Sequence, residues 1–125
     1  MDQNIISVEE VGLILVIVAN GAYLDLSNRD NFRSSFEASI GTHKKVLLDL
    51  SKVRFVDSSG LGSILAILKR IRTQGGEMAA CGMAKPVKVL FDLVRLDRVL
   101  VSFADRESAF TFLDKLPVQP DVRES

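Results

Sequence analysis

Hydrophobic and polar positions follow two alternating patterns along the chain, one typical of strands and one of amphipathic helices. Short stretches rich in Val, Ile, Leu and small apolar residues predict five strands, at residues 5–9, 13–18, 46–50, 78–81 and 99–103. Apolar residues three and four positions apart predict four helices, which follow Ser27, Ser58, Pro86 and Asp105. The order β-β-α-β-α-β-α-β-α begins with an antiparallel hairpin and continues with strands joined through helices. The sequence therefore predicts a single small α/β domain with an about five-stranded mixed sheet and about four helices.

Local residue types predict where these elements begin. Ser27 and Asp105 are expected N-caps, because their side-chain oxygens can accept hydrogen bonds from first-turn N–H groups. Pro86 suits the first turn of a helix, where its missing N–H is tolerated. Residues 52–57 are expected to be a connecting stretch between a strand and a helix.

The chain length and composition fit one domain. Of 125 residues, 47% are hydrophobic and 26% charged, the mixture of an ordinary globular protein. Residues 1–116 are predicted to form the domain, and residues 117–125, with two prolines, a flexible C-terminal tail. The longest apolar run, residues 11–19, has about half of the ~20 residues that a membrane span needs. We therefore expect a cytoplasmic protein that does not enter a membrane.

The charges balance, with 16 Lys and Arg against 16 Asp and Glu, which gives no support for nucleic-acid binding. They are unevenly distributed: acids predominate in residues 1–30 and bases in residues 60–100. Two interpretations stay open, ordinary solvated helix faces and a basic face that meets an acidic partner.

Motifs for catalysis are incomplete. A dinucleotide-binding fingerprint lacks its third glycine after Gly60-Leu61-Gly62, and a nucleophile elbow around Ser59 would need glycine where Asp57 stands. His43, the single histidine, is expected to be an exposed loop residue, and Cys81 a buried structural thiol. The sequence thus predicts a protein that is not an enzyme, with no cofactor and no metal site.

The string Asp57-Ser58-Ser59-Gly60 precedes the most regular predicted helix. In one interpretation Asp57 or Ser58 caps the helix, Ser59 lies in its first turn and Gly60 allows a tight bend. In the other, a phosphoryl group on a serine lies where helix N–H groups favour an anion, and it adds nearly two negative charges. The second interpretation describes a switch for binding a partner.

Several segments together resemble the STAS domain of bacterial anti-sigma factor antagonists. They are Val-Leu-Leu-Asp-Leu at residues 46–50, Phe-Val-Asp-Ser-Ser-Gly-Leu-Gly at 55–62, Gly-Gly-Glu-Met at 75–78, and the helix and strand pattern of 87–100. The resemblance spans residues 4–115 and implies the STAS fold.

The resemblance also implies a function and partners. Members bind an anti-sigma factor that is also a serine kinase, and so free a sigma factor. The kinase uses ATP to phosphorylate the antagonist, which then dissociates, and a PP2C-type phosphatase restores binding. The phosphoacceptor is the second serine of the family motif, which is Ser59 here, with Ser58 as the fallback. The residues expected at the partner-binding surface are Asp25, Asn28, Asp57, Ser58, Gly60 and Leu61.

One segment departs from the family pattern. Many members carry Gly-Glu-Leu-Asp after the second strand, whereas this chain has Gly21-Ala22-Tyr23-Leu24-Asp25, with an extra residue and no Glu. Asp25 matches the family Asp. Two alternative functions remain at this stage: a STAS scaffold or accessory subunit in which Ser59 is never modified, and a module that binds a small ligand such as a nucleotide.

Overall fold

The computed structural model describes residues 4–117 of the chain. Its longer strands are β1 (Ile6–Val11), β2 (Ile14–Ala19), β4 (Lys45–Asp49), β6 (Glu77–Cys81) and β7 (Val101–Phe103). Two short strands are β3 (Tyr23–Leu24) and β5 (Phe55–Val56). The helices are α1 (Arg29–Ile40), α2 (Ser58–Thr73), α3 (Lys85–Leu93) and α4 (Arg106–Lys115), with a 3₁₀ turn at Leu96–Arg98.

The main sheet has five strands in the order β1-β2-β4-β6-β7. The β1–β2 pair is antiparallel, and the other three pairs are parallel. This confirms the predicted mixed five-stranded sheet, its opening hairpin and its four helices. Parallel neighbours need crossover connections, and α1, α2 and α3 lie in the β2–β4, β4–β6 and β6–β7 connections, while α4 follows β7.

Helices cover both faces of the sheet, and successive residues of β4 show how the two cores are divided. Val46 and Leu48 face the larger core, which α1, α2 and α3 complete, while Leu47 faces a smaller core. Ala109 and Leu113 of α4 pack in that smaller core beside buried Cys81. Because both faces are covered, β4 has no exposed position, which is typical of a central parallel strand.

Three expectations about local structure are wrong. Residues 52–57 contain β5, which pairs in parallel with β3 as a separate two-stranded ribbon. The N-cap of α1 is Asn28 rather than Ser27, because the Ser27 hydroxyl donates to Asp25 Oδ1 at 2.6 Å instead. The last strand begins at Val101 rather than Val99, since the chain first completes the 3₁₀ turn.

Other boundary predictions are confirmed. Asp105 caps α4 and accepts a 2.8 Å hydrogen bond from Ser108 N, and Pro86 lies in the first turn of α3. The predicted tail lies outside the described residues from position 118 onward. Among residues 4–117, no helix combines the length and apolar character that crossing a bilayer requires.

Candidate functional site

The β3–β5 ribbon brings two loops that are far apart in the sequence to the same end of the domain. Asp57 N donates to Leu24 O at 3.2 Å, and Leu26 N donates to Asp57 Oδ2 at 3.3 Å. The segment that contains Asp25 and Asn28 therefore lies beside the start of α2. The structure thus places together the two groups of residues that the sequence assigned to one surface.

Asp57 organises the start of α2. Its Oδ1 accepts a hydrogen bond from Ser59 Oγ at 2.7 Å and another from Gly60 N at 2.9 Å. Of the two N-caps that the sequence left open, Asp57 and Ser58, the structure has Asp57. The hydrogen bond from the Ser59 hydroxyl, followed by that from Gly60 N, holds the pKa of Asp57 below its usual value. Ser58 is exposed and Ser59 half-buried. The carboxylate thus stays ionised and fixes the position of the Ser59 hydroxyl.

Gly60 and Leu61 lie beneath this surface. An added Cβ on Gly60 would lie 2.3 Å from Leu24 O, so glycine is needed where α2 crosses the ribbon closely. The expected tight bend at Gly60 is wrong, because the residue lies inside the first turn of the helix. Leu61 is 7% exposed and belongs to the larger core. Both residues support the candidate surface from below.

Asp25 and Asn28 shape the loop through hydrogen bonds to each other and to the ribbon. Asn28 Oδ1 accepts from Asp25 N at 3.0 Å, and Asn28 Nδ2 donates to Tyr23 O at 2.8 Å. Asp25 Oδ1 accepts from Ser27 N at 3.0 Å. These side chains hold the loop in one conformation next to Asp57.

Sequence reasoning missed exposed apolar residues on the ribbon and in the loop that follows β3. We call Tyr23, Leu26 and Phe55 together the ribbon patch. Their exposed fractions are 60%, 67% and 50%. The Tyr23 and Phe55 rings meet edge to face with centroids 6.3 Å apart. Adjoining large apolar side chains at the surface often mark a site of protein association. In the structure Tyr23 and Phe55 precede buried Leu24 and Val56, but two residues per strand are too few to show an alternation in the sequence.

Residues considered for catalysis lie elsewhere. His43 is half-buried rather than an exposed loop residue, since its Nδ1 lies 3.0 Å from Ile40 O and its Nε2 2.8 Å from Glu10 Oε2. Cys81 is buried as predicted, and burial, followed by the nearby Asp49 carboxylate, raises the pKa of its thiol to about 11. Residues 4–117 contain no cluster of three or more metal-ligating side chains.

Comparison with known proteins identifies the class of this domain. The family model of the STAS domain matches residues 6–109, which is most of the chain. The chain belongs to the STAS domain family.

Within that family the chain is similar to anti-sigma factor antagonists. It is 33% identical over 102 residues to the anti-sigma F factor antagonist of Paenibacillus polymyxa, covering 80% of this chain and 87% of that protein. The anti-sigma-factor antagonist (STAS) domain protein of Planctomyces limnophilus has a similar structure, with a TM-score of 0.81 at 23% identity, over 88% of this chain and 98% of the other. The Bacillus cell fate determinant SpoIIAA in its phosphorylated form gives a TM-score of 0.64 at 19% identity, over 86% and 98% of the two chains.

Proposed function

We propose that this protein is an anti-sigma factor antagonist that binds an anti-sigma factor while unphosphorylated and loses that affinity when Ser59 is phosphorylated. The observation that carries the proposal is the Ser59 hydroxyl in the first turn of α2, held 2.7 Å from Asp57 Oδ1. Similarity to the Paenibacillus antagonist over most of its length supports the class of partner. The phosphorylated form described for SpoIIAA, which shares the fold, supports the modification.

The proposed modification is transfer of a phosphoryl group from ATP by a serine kinase that is itself the anti-sigma factor. Ser59 Oγ forms a bond to the γ-phosphorus of ATP, the bond from that phosphorus to the β,γ-bridging oxygen breaks, and ADP leaves. The hydroxyl proton would pass to Asp57 Oδ1, which already accepts its hydrogen bond, and from there to solvent. Hydrolysis of the phosphoserine by a PP2C-type phosphatase returns the hydroxyl and releases inorganic phosphate.

The ribbon patch supplies the apolar part of the proposed contact. Tyr23 and Phe55 lie on the same ribbon that positions Asp57, so a partner on Ser59 would also cover their rings. Apolar burial would provide affinity, and a buried aromatic side chain often dominates such an interface. A phosphoryl group at its edge adds nearly two negative charges beside the Asp57 carboxylate. Desolvating these charges can lower affinity by about 3 kcal/mol, which is more than a hundredfold.

The acceptor is tested by measuring intact mass after incubation with ATP in a lysate of the cells that make the protein. We expect a gain of one phosphoryl group in the wild type and in Ser58→Ala, and none in Ser59→Ala. A gain that disappears only in Ser58→Ala would make Ser58 the acceptor. No gain in any sample, with the lysate kinases shown to be active, would favour the scaffold without a switch.

The partner contact is tested by titrating the purified anti-sigma factor from the same genome against variants of this protein. Ser59→Asp should lose about a hundredfold in affinity. Thr111→Asp is the matched control, because Thr111 is an exposed hydroxyl residue on α4, on the other face of the sheet. Ser59→Asp that binds as tightly as Thr111→Asp would contradict the switch.

The ribbon patch has its own matched pair of variants. Tyr23→Ser should weaken binding of the same anti-sigma factor about tenfold or more. Leu13→Ser should leave it unchanged, because Leu13 is equally exposed but lies in the β1–β2 turn. Equal affinities of the two variants would exclude the ribbon patch from the interface.

A further inference from the structure

A depression of about 410 Å³ lies between the first turns of α1 and α2. The residues that line it come from both helices: Arg29, Asp30 and Arg33 from α1, and Ser58, Ser59 and Gly62 from α2. Ser63 Oγ donates to Arg29 O at 3.3 Å and so joins the two first turns. Two helix N-termini therefore border one space, where their N–H groups and dipoles favour an anion.

Arg29 has hydrogen-bonding capacity that the fold does not use. Its Nε is buried and finds no hydrogen-bond acceptor among residues 4–117, while the side chain as a whole is 42% exposed. The carboxylate of Asp30 lies 3.5 Å from this nitrogen without forming a hydrogen bond, and the Asp30 side chain is almost fully exposed, so this ion pair is weak. An unpaired buried donor is destabilising, so the Arg29 guanidinium has capacity for a further acceptor if its side chain rearranges.

Arg33 adds a second guanidinium one turn further along α1. Its Nε donates to Glu37 Oε2 at 3.0 Å, and in the described part of the chain its two Nη groups make no hydrogen bond. An arginine can bind an oxyanion through two nitrogens at once. Arg29 and Arg33 together therefore provide donors suited to a phosphoryl group.

Phosphorylation of Ser59 would displace its side chain from Asp57. The 2.7 Å contact depends on the hydroxyl proton, which the phosphoryl group replaces. A phosphate with nearly two negative charges is repelled by the Asp57 carboxylate. The Ser59 side chain also lines the depression, so a change of rotamer directs the phosphoryl group towards the arginines.

We propose that the phosphoryl group of phosphorylated Ser59 docks in the depression between α1 and α2, where Arg29 and Arg33 bind it. The proposal rests on the proposed function and adds a receptor for the phosphate within this chain. Docking defines the conformation of the phosphorylated state and holds the new charge at the start of α2.

Several charged groups face the docked phosphate and set its protonation. Arg29 and Arg33 of α1, with the two helix N-termini, favour the dianion. Asp57 before α2 and Asp30 of α1 oppose it, while Asp25 in the preceding loop is held by Ser27. The arginines and Asp30 line the depression, and Asp57 lies outside its lining. The balance favours the dianion, so the second protonation should occur at a lower pH than in free phosphoserine, where it lies near pH ~6.

The experiment uses full-length protein with phosphoserine incorporated at position 59 during translation, and follows its ³¹P resonance as a function of pH. The variants are Arg29→Gln, Arg33→Gln and Arg29→Lys. Arg98→Gln is the matched control, since Arg98 is exposed in the 3₁₀ turn at the opposite end of the sheet. Amide spectra of each variant are recorded to test whether it is folded.

We expect the wild type and Arg98→Gln to titrate about one pH unit below Arg29→Gln, with Arg33→Gln shifted in the same direction and Arg29→Lys partly restored. Identical midpoints in the wild type, Arg29→Gln and Arg33→Gln would overturn the docking. If Arg29→Gln does not fold, Arg33→Gln and Arg29→Lys decide the result. Because no kinase is used, docking fails separately from the proposed function, which fails if the lysate leaves Ser59 unmodified.

Discussion

Two aspartates at the C-terminal ends of parallel strands occupy similar places in the fold and differ in their surroundings. Asp49 ends β4, is buried, and accepts a 2.8 Å hydrogen bond from Arg106 Nε. Asp57 follows β5 near the surface and accepts from Ser59 Oγ, with no cation within 4 Å among the described residues. Each has a nucleophilic side chain nearby, since Cys81 pairs with Asp49 across the sheet.

The pKa values of the two carboxyl groups are lowered for different reasons. Burial raises the pKa of Asp49, but hydrogen bonds from Ser51 and the Arg106 guanidinium outweigh it. Only neutral donors, chiefly the Ser59 hydroxyl, lower the pKa of Asp57. Asp49 thus joins the sheet to α4 through a compensated charge, whereas the Asp57 charge remains uncompensated beside an accessible hydroxyl. One aspartate is suited to stability and the other to a switch.

The largest predicted effect is the slow reaction of the Cys81 thiol, which lies beside Asp49. With its pKa raised from 9.0 to about 11, the thiol should react with a disulfide reagent at pH 8 roughly 100-fold more slowly than an unperturbed cysteine, from ionisation alone. Burial slows the reaction further. The measurement is the rate at which native protein releases the thiol of the disulfide reagent, with denatured protein as the reference. Equal rates in both states would contradict the burial of Cys81 beside Asp49.

The next contrast tests the close approach at the start of α2. Gly60→Ala should lower the free energy of unfolding by about 3 kcal/mol, because the new Cβ would lie 2.3 Å from Leu24 O. Gly62→Ala is the matched control, since it has open space and should stabilise α2 by about 0.5–1 kcal/mol. Urea denaturation measures both. A Gly60→Ala variant as stable as wild type would contradict the tight contact between α2 and the ribbon.

A third prediction concerns the ion pair between Asp49 and Arg106, which joins the sheet to α4. Arg106→Met should lower the free energy of unfolding by about 2 kcal/mol, less than for a fully buried pair because Arg106 is partly exposed. The folded-state pKa of Asp49 lies below its unfolded value of about 3.9, so this stabilisation is present above that pH and lost as the pH falls through the folded pKa. Urea titrations at several pH values should therefore show the largest difference near neutrality.

Arg98→Met is the control for that measurement, because Arg98 is exposed and makes no ion pair in the described part of the chain. It should change stability little at any pH. A difference between Arg106→Met and wild type that grows below pH ~4 would contradict the assigned role of Asp49.

Local sequence patterns predicted much of this structure, but they could not predict contacts between residues that are distant in the sequence. The face of α2 and the Asp105 cap follow from residues within a few positions of one another. The β3–β5 ribbon has only two residues in each strand, too few for a periodicity to be detected. The partial burial of His43 could not be predicted either, because its contact with Glu10 joins residues 33 positions apart.

The candidate site also combines local contacts, which the sequence could indicate, with contacts between distant residues, which it could not. The Asp57–Ser59 contact spans two positions, so the sequence could indicate a capped serine at a helix start. Arg29 lies thirty positions before Ser59, and only the packing of α1 against α2 brings it to the same depression. The resemblance could suggest the proposed function because the motif is local, whereas it gave no indication of Arg29 and Arg33.

The smallest predicted effect isolates the charge of Asp57 from its capping role. Asp57→Asn keeps an oxygen that can accept from Gly60 N but removes the negative charge. Because the folded-state pKa of Asp57 is lowered, its charge stabilises the fold above about pH 3.9, and this contribution is lost as the pH falls through the folded pKa. The loss at pH 7, measured by urea denaturation, should therefore be smaller than for Arg106→Met and should diminish in acid. If Asp57→Asn destabilised the protein more than Arg106→Met, Asp57 would be the structural aspartate and the contrast with Asp49 would be reversed.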